Sequence, residues 1–271
     1  LWAITRAITG DLVDVQLATR ATQSPHDFEI RPSQMLMVKR ADVLIRNGLE
    51  EDAWVDTIVE GSGNPRLLRG SPNVIEAVKG VQVLKVPTGP IDRSMGDVHP
   101  LGNPHYTLDP ANLPFVTANI VAGLSYAMPD LAAQFETNRK TFLEKVAEAD
   151  RRWRQTLAPF RGFKIWSFHD TFPYFYRALG FVEGGIIEDR PGIPPSPGHV
   201  ATLIRQMRED PQKARVILIE TWYPREVADF IARETHAKVL VIPQGPGTIK
   251  GTEDYISHID YLVNAIAKAL A

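Results

Sequence analysis

The sequence contains no cysteine. That absence removes disulfide frameworks, thiolate metal sites and cysteine nucleophiles together, so any bound metal must be held by nitrogen and oxygen ligands. No apolar run reaches the roughly 18 residues of a membrane-spanning helix. Neither sign of charge is in excess: 30 Lys and Arg against 32 Asp and Glu leave a formal charge of −2, which gives no electrostatic footprint for nucleic acid or anionic lipid. Neither GxGxxG nor GxxxxGK[ST] occurs, and the glycine-rich Gly245-Pro-Gly-Thr-Ile-Lys-Gly251 lacks the order of a phosphate loop, which disfavours a nucleotide or sugar-phosphate protein. The seven histidines form no HExxH pair and no Cys/His finger, so spacing alone identifies no zinc site.

What is present is an ordinary globular composition, with 44% hydrophobic and 23% charged residues over 271 positions. This size suggests two domains or one large α/β unit. The chain opens in what reads as helix, Leu1 to Gly10, whereas α/β lobes normally begin with a strand. The expectation is therefore that a first strand and any leader lie upstream. Asp11 to Leu17 reads as a strand, Ser33 to Arg40 as a helix and Val43 to Asn47 as a strand, an alternation that implies parallel βαβ units. Turn formers then dominate Gly61 to Pro65, Pro87 to Pro90 and Gly96 to Pro104.

From Pro129 the pattern changes. Leu131, Phe135, Phe142, Val146, Trp153 and Leu157 recur at spacings of 4, 7, 4, 7 and 4, one amphipathic stripe on a helix of about 29 residues and roughly 43 Å. Alternation then resumes: strand Lys164 to Phe168, helix Thr171 to Leu179, helix His199 to Glu209 and strand Val216 to Glu220. Helix Arg225 to Thr235, strand Lys238 to Ile242 and helix Glu253 to Leu270 complete it. The expected architecture is two Rossmann-like α/β lobes with parallel sheets joined by one long rigid helix, divided as 1–128, 129–158 and 159–271. Ligands of open parallel sheets sit beyond the carboxyl ends of the strands, so two facing lobes offer a cleft.

Three histidines share a setting at strand ends or in loops beside short polar residues. His26 and His105 each follow a proline, which restricts the backbone and aims the ring, and Asp109 stands four residues beyond His105 as an acceptor for a ring N–H. His169 follows the Lys164 to Phe168 strand. His99, six residues before His105, reads as a solvated loop residue.

Taken in order along the chain, Pro25-His-Asp-Phe-Glu29, Ala41-Asp-Val-Leu-Ile-Arg-Asn-Gly48, Gly102-Asn-Pro-His-Tyr-Thr-Leu-Asp-Pro110 and Phe168-His-Asp-Thr-Phe-Pro-Tyr-Phe175 resemble the zinc and manganese receptors of bacterial ABC importers. The resemblance implies a linking helix that limits hinge motion and one buried site for a divalent metal. By position, His26 and His105 match two of the family's histidine ligands, and Glu188 matches a third ligand that is histidine or glutamate among members. The family's fourth ligand is usually an aspartate after the last strand, where this sequence has Pro243. Glu220, His169 or water then remain for that position.

The function this implies is that of an extracytoplasmic solute-binding protein, periplasmic or a cell-surface lipoprotein. It would be a monomer that delivers its metal to an ABC permease dimer served by a cytoplasmic ATPase. Nitrogen ligands put Zn2+ ahead of Mn2+, while the glutamate hardens the site toward Mn2+. The long His-rich and acidic loop of some zinc-specific relatives is absent. A metal-dependent hydrolase using two histidines and a glutamate is the alternative, but ligands drawn from distant segments of both lobes would bury the metal away from substrate.

Overall fold

The computed structural model describes residues 1–19, 30–49, 52, 54–90, 96, 99–212, 215–243 and 245–271. It is a mixed α/β protein with parallel sheets in two lobes. The chain divides into a first unit of residues 1–86 and 99–147 and a second of residues 87–98 and 148–271. Among the described residues, no helix is long and apolar enough to cross a membrane.

In the first unit, helices α1 (Trp2–Thr9), α2 (Pro32–Arg40), α3 (Trp54–Ser62) and α4 (Leu113–Ala127) accompany two short parallel strands, β1 (Leu44–Arg46) and β2 (Val74–Glu76). Pro32 starts α2 at a position where a missing N–H costs nothing. Asn64 finishes it, its Nδ2 donating to the carbonyls of Val38 and Ala41 at 2.9 Å. The apolar faces of α2 and α3 meet in a core of Val38, Val55, Ile58, Val59 and Leu67. On the other side α4 approaches β2 so closely that a Cβ at Gly123 would lie 2.2 Å from Ile75, so only glycine fits there.

The expected strand over Asp11 to Leu17 does not form; the segment is turn and extended coil. Its alternation is real, but a strand needs a lateral partner and a covered face. Leu12 and Leu17 are 49% and 41% exposed, and the carbonyls of Val15 and Ala18 accept instead from the side chains of Trp2 and Gln34, at 3.0 and 2.8 Å.

The amphipathic stripe forms α5 (Ala132–Leu157), 26 residues long and thus about 39 Å at 1.5 Å per residue. It is shorter than expected because Pro129 and Pro159 each sit in a flanking 3-10 turn, Pro129–Leu131 and Ala158–Phe160. Phe135, Phe142, Val146, Trp153 and Leu157 are buried. The helix is fastened within each unit that it enters. In the first, Asn138 Nδ2 donates to the Ile8 carbonyl at 2.8 Å and Arg139 Nε to Thr117 Oγ1 at 3.1 Å. In the second, Trp153 Nε1 donates to Asp260 Oδ1 at 2.5 Å.

The second unit is a four-stranded parallel sheet ordered β4-β3-β5-β6: β3 (Lys164–Ser167), β4 (Val182–Ile186), β5 (Val216–Glu220) and β6 (Lys238–Ile242). The accompanying helices are α6 (Pro173–Leu179), α7 (Pro197–Glu209), α8 (Glu226–Thr235) and α9 (Tyr255–Leu270). Every residue of β5 is buried, and Val216 to Ile219 form the unbroken apolar run expected of a central parallel strand. Against it pack Trp166, Val200, Leu203, Ile204, Met207 and Ile231. β4 carries no strand signal in the sequence, because Val182-Glu-Gly-Gly-Ile186 has glycines where a strand normally carries side chains. The indole of Trp166 fills that space, 2.5 Å from where a Cβ on Gly184 would lie.

Candidate metal centre

In the second unit, adjacent parallel strands end on side chains suited to metal binding. β3 runs out through Phe168 into His169, β4 through Ile187 into Glu188, and β5 ends on Glu220. The sheet ladder continues past the formal strand ends: Phe168 N–H donates to the Leu218 carbonyl at 2.7 Å, and Glu188 N–H to the Phe168 carbonyl at 2.8 Å. Parallel packing thus places all three residues at the carboxyl edge, where ligands of open α/β sheets bind.

His169 Nδ1 lies 2.8 Å from Glu188 Oε2. The other oxygen, Glu188 Oε1, accepts from Gly192 N–H at 3.0 Å, so the carboxylate is fixed by an imidazole and a loop amide. The ring of His169 is stacked toward Tyr223, centroids 5.9 Å apart, and Tyr223 stacks in turn on Phe168 at 4.5 Å.

Glu220 is 1% exposed. Its Oε1 accepts a short hydrogen bond from Thr171 Oγ1, while Oε2 is buried and takes no hydrogen bond from any described residue. Burial pushes the Glu220 carboxyl above its ordinary pKa; the nearby His169 and the Thr171 hydroxyl pull it back, and Glu188 adds to the rise. Once ionised, buried carboxylates at the edge of one sheet place negative charge where it is poorly hydrated, an arrangement that a cation relieves.

His105 belongs to the first unit. It is buried and caps the 3-10 turn Tyr106–Leu108, and its backbone N–H donates to Asn103 Oδ1 at 3.0 Å. Asn112 Nδ2 donates to the Tyr106 carbonyl at 2.7 Å. Asp109 Oδ1 accepts from Ala111 N–H at 2.8 Å, which caps the next turn. His99 is half-buried.

The structure therefore brings His169, Glu188 and Glu220 to neighbouring strand ends of the second unit and seats His105 on a braced loop of the first. His26 lies outside the described residues. Among the described residues, no three His, Asp or Glu side chains form a metal-binding group together. Thr171, which holds Glu220 across 49 residues of sequence, was missed in the sequence. Its only signal was its place two residues beyond His169.

Comparison with known proteins adds a second line of observation. The family model described as zinc-uptake complex component A, periplasmic, matches residues 1–269. The iron-binding protein YfeA of Yersinia pestis is 25% identical over 273 residues, 98% of this chain and 82% of that protein. The zinc-binding protein AdcA of Streptococcus pyogenes is 26% identical over 275 residues, 95% of this chain, although the chain spans only 52% of that relative. Among solved structures, the binding protein FpvC of Pseudomonas aeruginosa in complex with Mn2+ superposes with a TM-score of 0.81 at 20% identity, covering 99% of this chain and 94% of that one; at that identity the likeness speaks for the fold.

Proposed function

The chain belongs to the zinc-uptake complex component A periplasmic family, and from that premise we propose that it captures one divalent transition metal outside the cytoplasm and delivers it to an ABC permease. The family is a transport component rather than an enzyme, so the hydrolase alternative falls. The observation that supports the metal reading is the row of buried side chains at the carboxyl ends of β4, β3 and β5: the Glu188–His169 pair and, beyond it, Glu220 with an oxygen that accepts no hydrogen bond from any described residue.

The proposed ligands are His26, His105 and Glu188, with the fourth position supplied by Glu220, His169 or water; Pro243 has no side chain that ligates. Imidazole nitrogen with carboxylate oxygen suits Zn2+ first and Mn2+ next. Relatives described as binding iron or zinc and a fold neighbour holding Mn2+ set the ions among which selectivity is to be measured. The proposed partners are a permease dimer and its ATPase, met by a monomer that is free in the periplasm or lipid-anchored.

Elemental analysis of protein purified without added metal, followed by calorimetric titration of the stripped protein with Zn2+ and Mn2+, tests the reading. One metal per chain with Zn2+ the tighter is expected. Absence of saturable binding by either ion would overturn it.

A further inference from the structure

The loop that leaves β1 is held by more polar contacts than a surface turn requires, and they converge on the two residues flanking His105. Asn47 Nδ2 donates to the Pro104 carbonyl at 3.0 Å. The Tyr106 hydroxyl donates back to the Asn47 carbonyl at 2.8 Å. One residue thus grips both neighbours of His105 across 57 and 59 residues of sequence.

Asn47 is itself fixed. Asp52 Oδ2 accepts from the N–H groups of Asn47 at 2.6 Å and Gly48 at 3.3 Å. Asp52 Oδ1 takes Arg46 Nε at 3.3 Å and Nη2 at 3.1 Å, and Arg46 Nη1 reaches Asp56 at 2.8 Å. Gly48, at φ +84°, turns the chain back sharply enough for Asp52 to reach it. Arg46 and Asp52 are each 7% exposed, so this ion pair is removed from water and its geometry is set by packing. Such a pair adds little net stability against an apolar substitute; what it does supply is a fixed position for the amide it surrounds.

We infer that Asn47, locked by Asp52, is a positioning residue for His105: it holds the Pro104–Tyr106 backbone so that the imidazole is aimed before metal arrives. This rests on the reading of His105 as a ligand. The role needs a donor at Nδ2. An oxygen there would face the Pro104 carbonyl, so aspartate, although the same size, is expected to fail as alanine does.

A double-mutant cycle on the full chain, with Zn2+ affinity measured by competition with a chromophoric chelator, separates the two claims. Asn47→Ala and Asn47→Asp should each weaken Zn2+ binding by about 10–100-fold, the usual effect of losing a ligand's orienting partner. In a His105→Ala background neither should add more than about 2-fold, because additivity fails when two residues act through one contact. Tyr106→Phe deletes only the hydroxyl that reaches Asn47 and serves as the milder variant should the Asn47 changes impair folding. It should weaken binding several-fold in the parent and not in His105→Ala. The His105 imidazole NMR signals of metal-free Asn47→Ala should broaden or split as the ring samples more orientations.

If His105→Ala binds Zn2+ as the parent does, the ligand reading fails and takes this proposal with it. If His105→Ala is severely weakened while Asn47→Ala and Tyr106→Phe are not, or if they weaken both backgrounds equally, only the positioning role is overturned.

Discussion

The two units surround their buried candidate ligands in opposite ways. In the first unit the buried Arg46 is paired with the buried Asp52. Burial opposes the Arg46 guanidinium, but Asp52 and Asp56 outweigh it and hold its pKa above the ordinary value. In the second unit Glu188 and Glu220 are buried at the ends of β4 and β5, the strands on either side of β3, and the imidazole beside Glu188 is charged only if protonated. The first unit therefore sets a buried ion pair beside the loop that carries His105, while the second buries carboxylates whose charge a divalent ion would offset. Preorganisation marks the surroundings of one set of candidate ligands and buried charge the other, and the two respond differently to mutation and acid.

The largest expected effect breaks the first half of this contrast. His105→Ala should weaken Zn2+ binding on the order of 1000-fold, since losing a ligand must exceed the roughly 10–100-fold cost of losing an orienting partner. The same change should leave the second unit's cluster intact. Calorimetry showing unaltered affinity would remove His105 from the ligand set.

The next effect tests whether the second unit's buried titratable groups oppose folding when charged. His258, 2% exposed on α9, has its imidazole pushed by burial from 6.5 down to about 4. The folded state prefers the neutral ring, so this stability is full above pH 6.5 and is lost as pH falls through about 4. The loss amounts to about 3 kcal/mol at 1.36 kcal/mol per pKa unit. Urea unfolding between pH 7 and pH 4 should show that slope in the parent and not in His258→Leu; identical slopes would refute the assignment.

Glu220 has the opposite sign. Its raised pKa favours the protonated carboxyl, so its contribution is present below the unfolded value and is lost as pH rises. Glu220→Gln should raise the melting temperature of metal-free protein at neutral pH. The parent should in turn gain about 2.7 kcal/mol from Zn2+ at one hundred times its Kd, and at the same Zn2+ concentration the variant should gain less. Scanning calorimetry with and without Zn2+ decides this, and a variant that melts lower when metal-free would argue against charge imbalance. Smallest is Trp153→Phe, which deletes the hydrogen bond to Asp260 and should cost about 1 kcal/mol in urea unfolding; no measurable change would mean that apolar packing alone holds that end of α5.

Much of the second unit was legible because its strands are short apolar runs and its helices have stripes: Val216 to Glu220 and Lys238 to Ile242 were read to the residue. β4 was hidden by paired glycines whose reason, Trp166, comes from another strand. In the first unit β2 is only three residues long, too short for periodicity, and α4 is so apolar over most of its circumference that it presents no stripe. Asp11 to Leu17 showed the converse error, since alternation does not reveal whether a partner strand is available. Glu188, His169 and Glu220 could be named from motifs and strand ends. Thr171 and Asn47 could not, because their value lies in hydrogen bonds that span 49 and 57 residues, which only folding brings together.

α5 has a further consequence for how the molecule comes apart. The division between the units falls between Ala147 and Glu148, inside an unbroken helix whose N–H groups each bond to a carbonyl four residues back. Several of those bonds therefore start in one unit and end in the other, and neither can fray there without unravelling a turn that its neighbour owns. Opening of either unit is therefore enough to break those bonds. Amide hydrogen exchange across this turn should report the opening of whichever unit is weaker, so the middle of a long helix, ordinarily its best-protected part, would here be no slower to exchange than the less stable lobe.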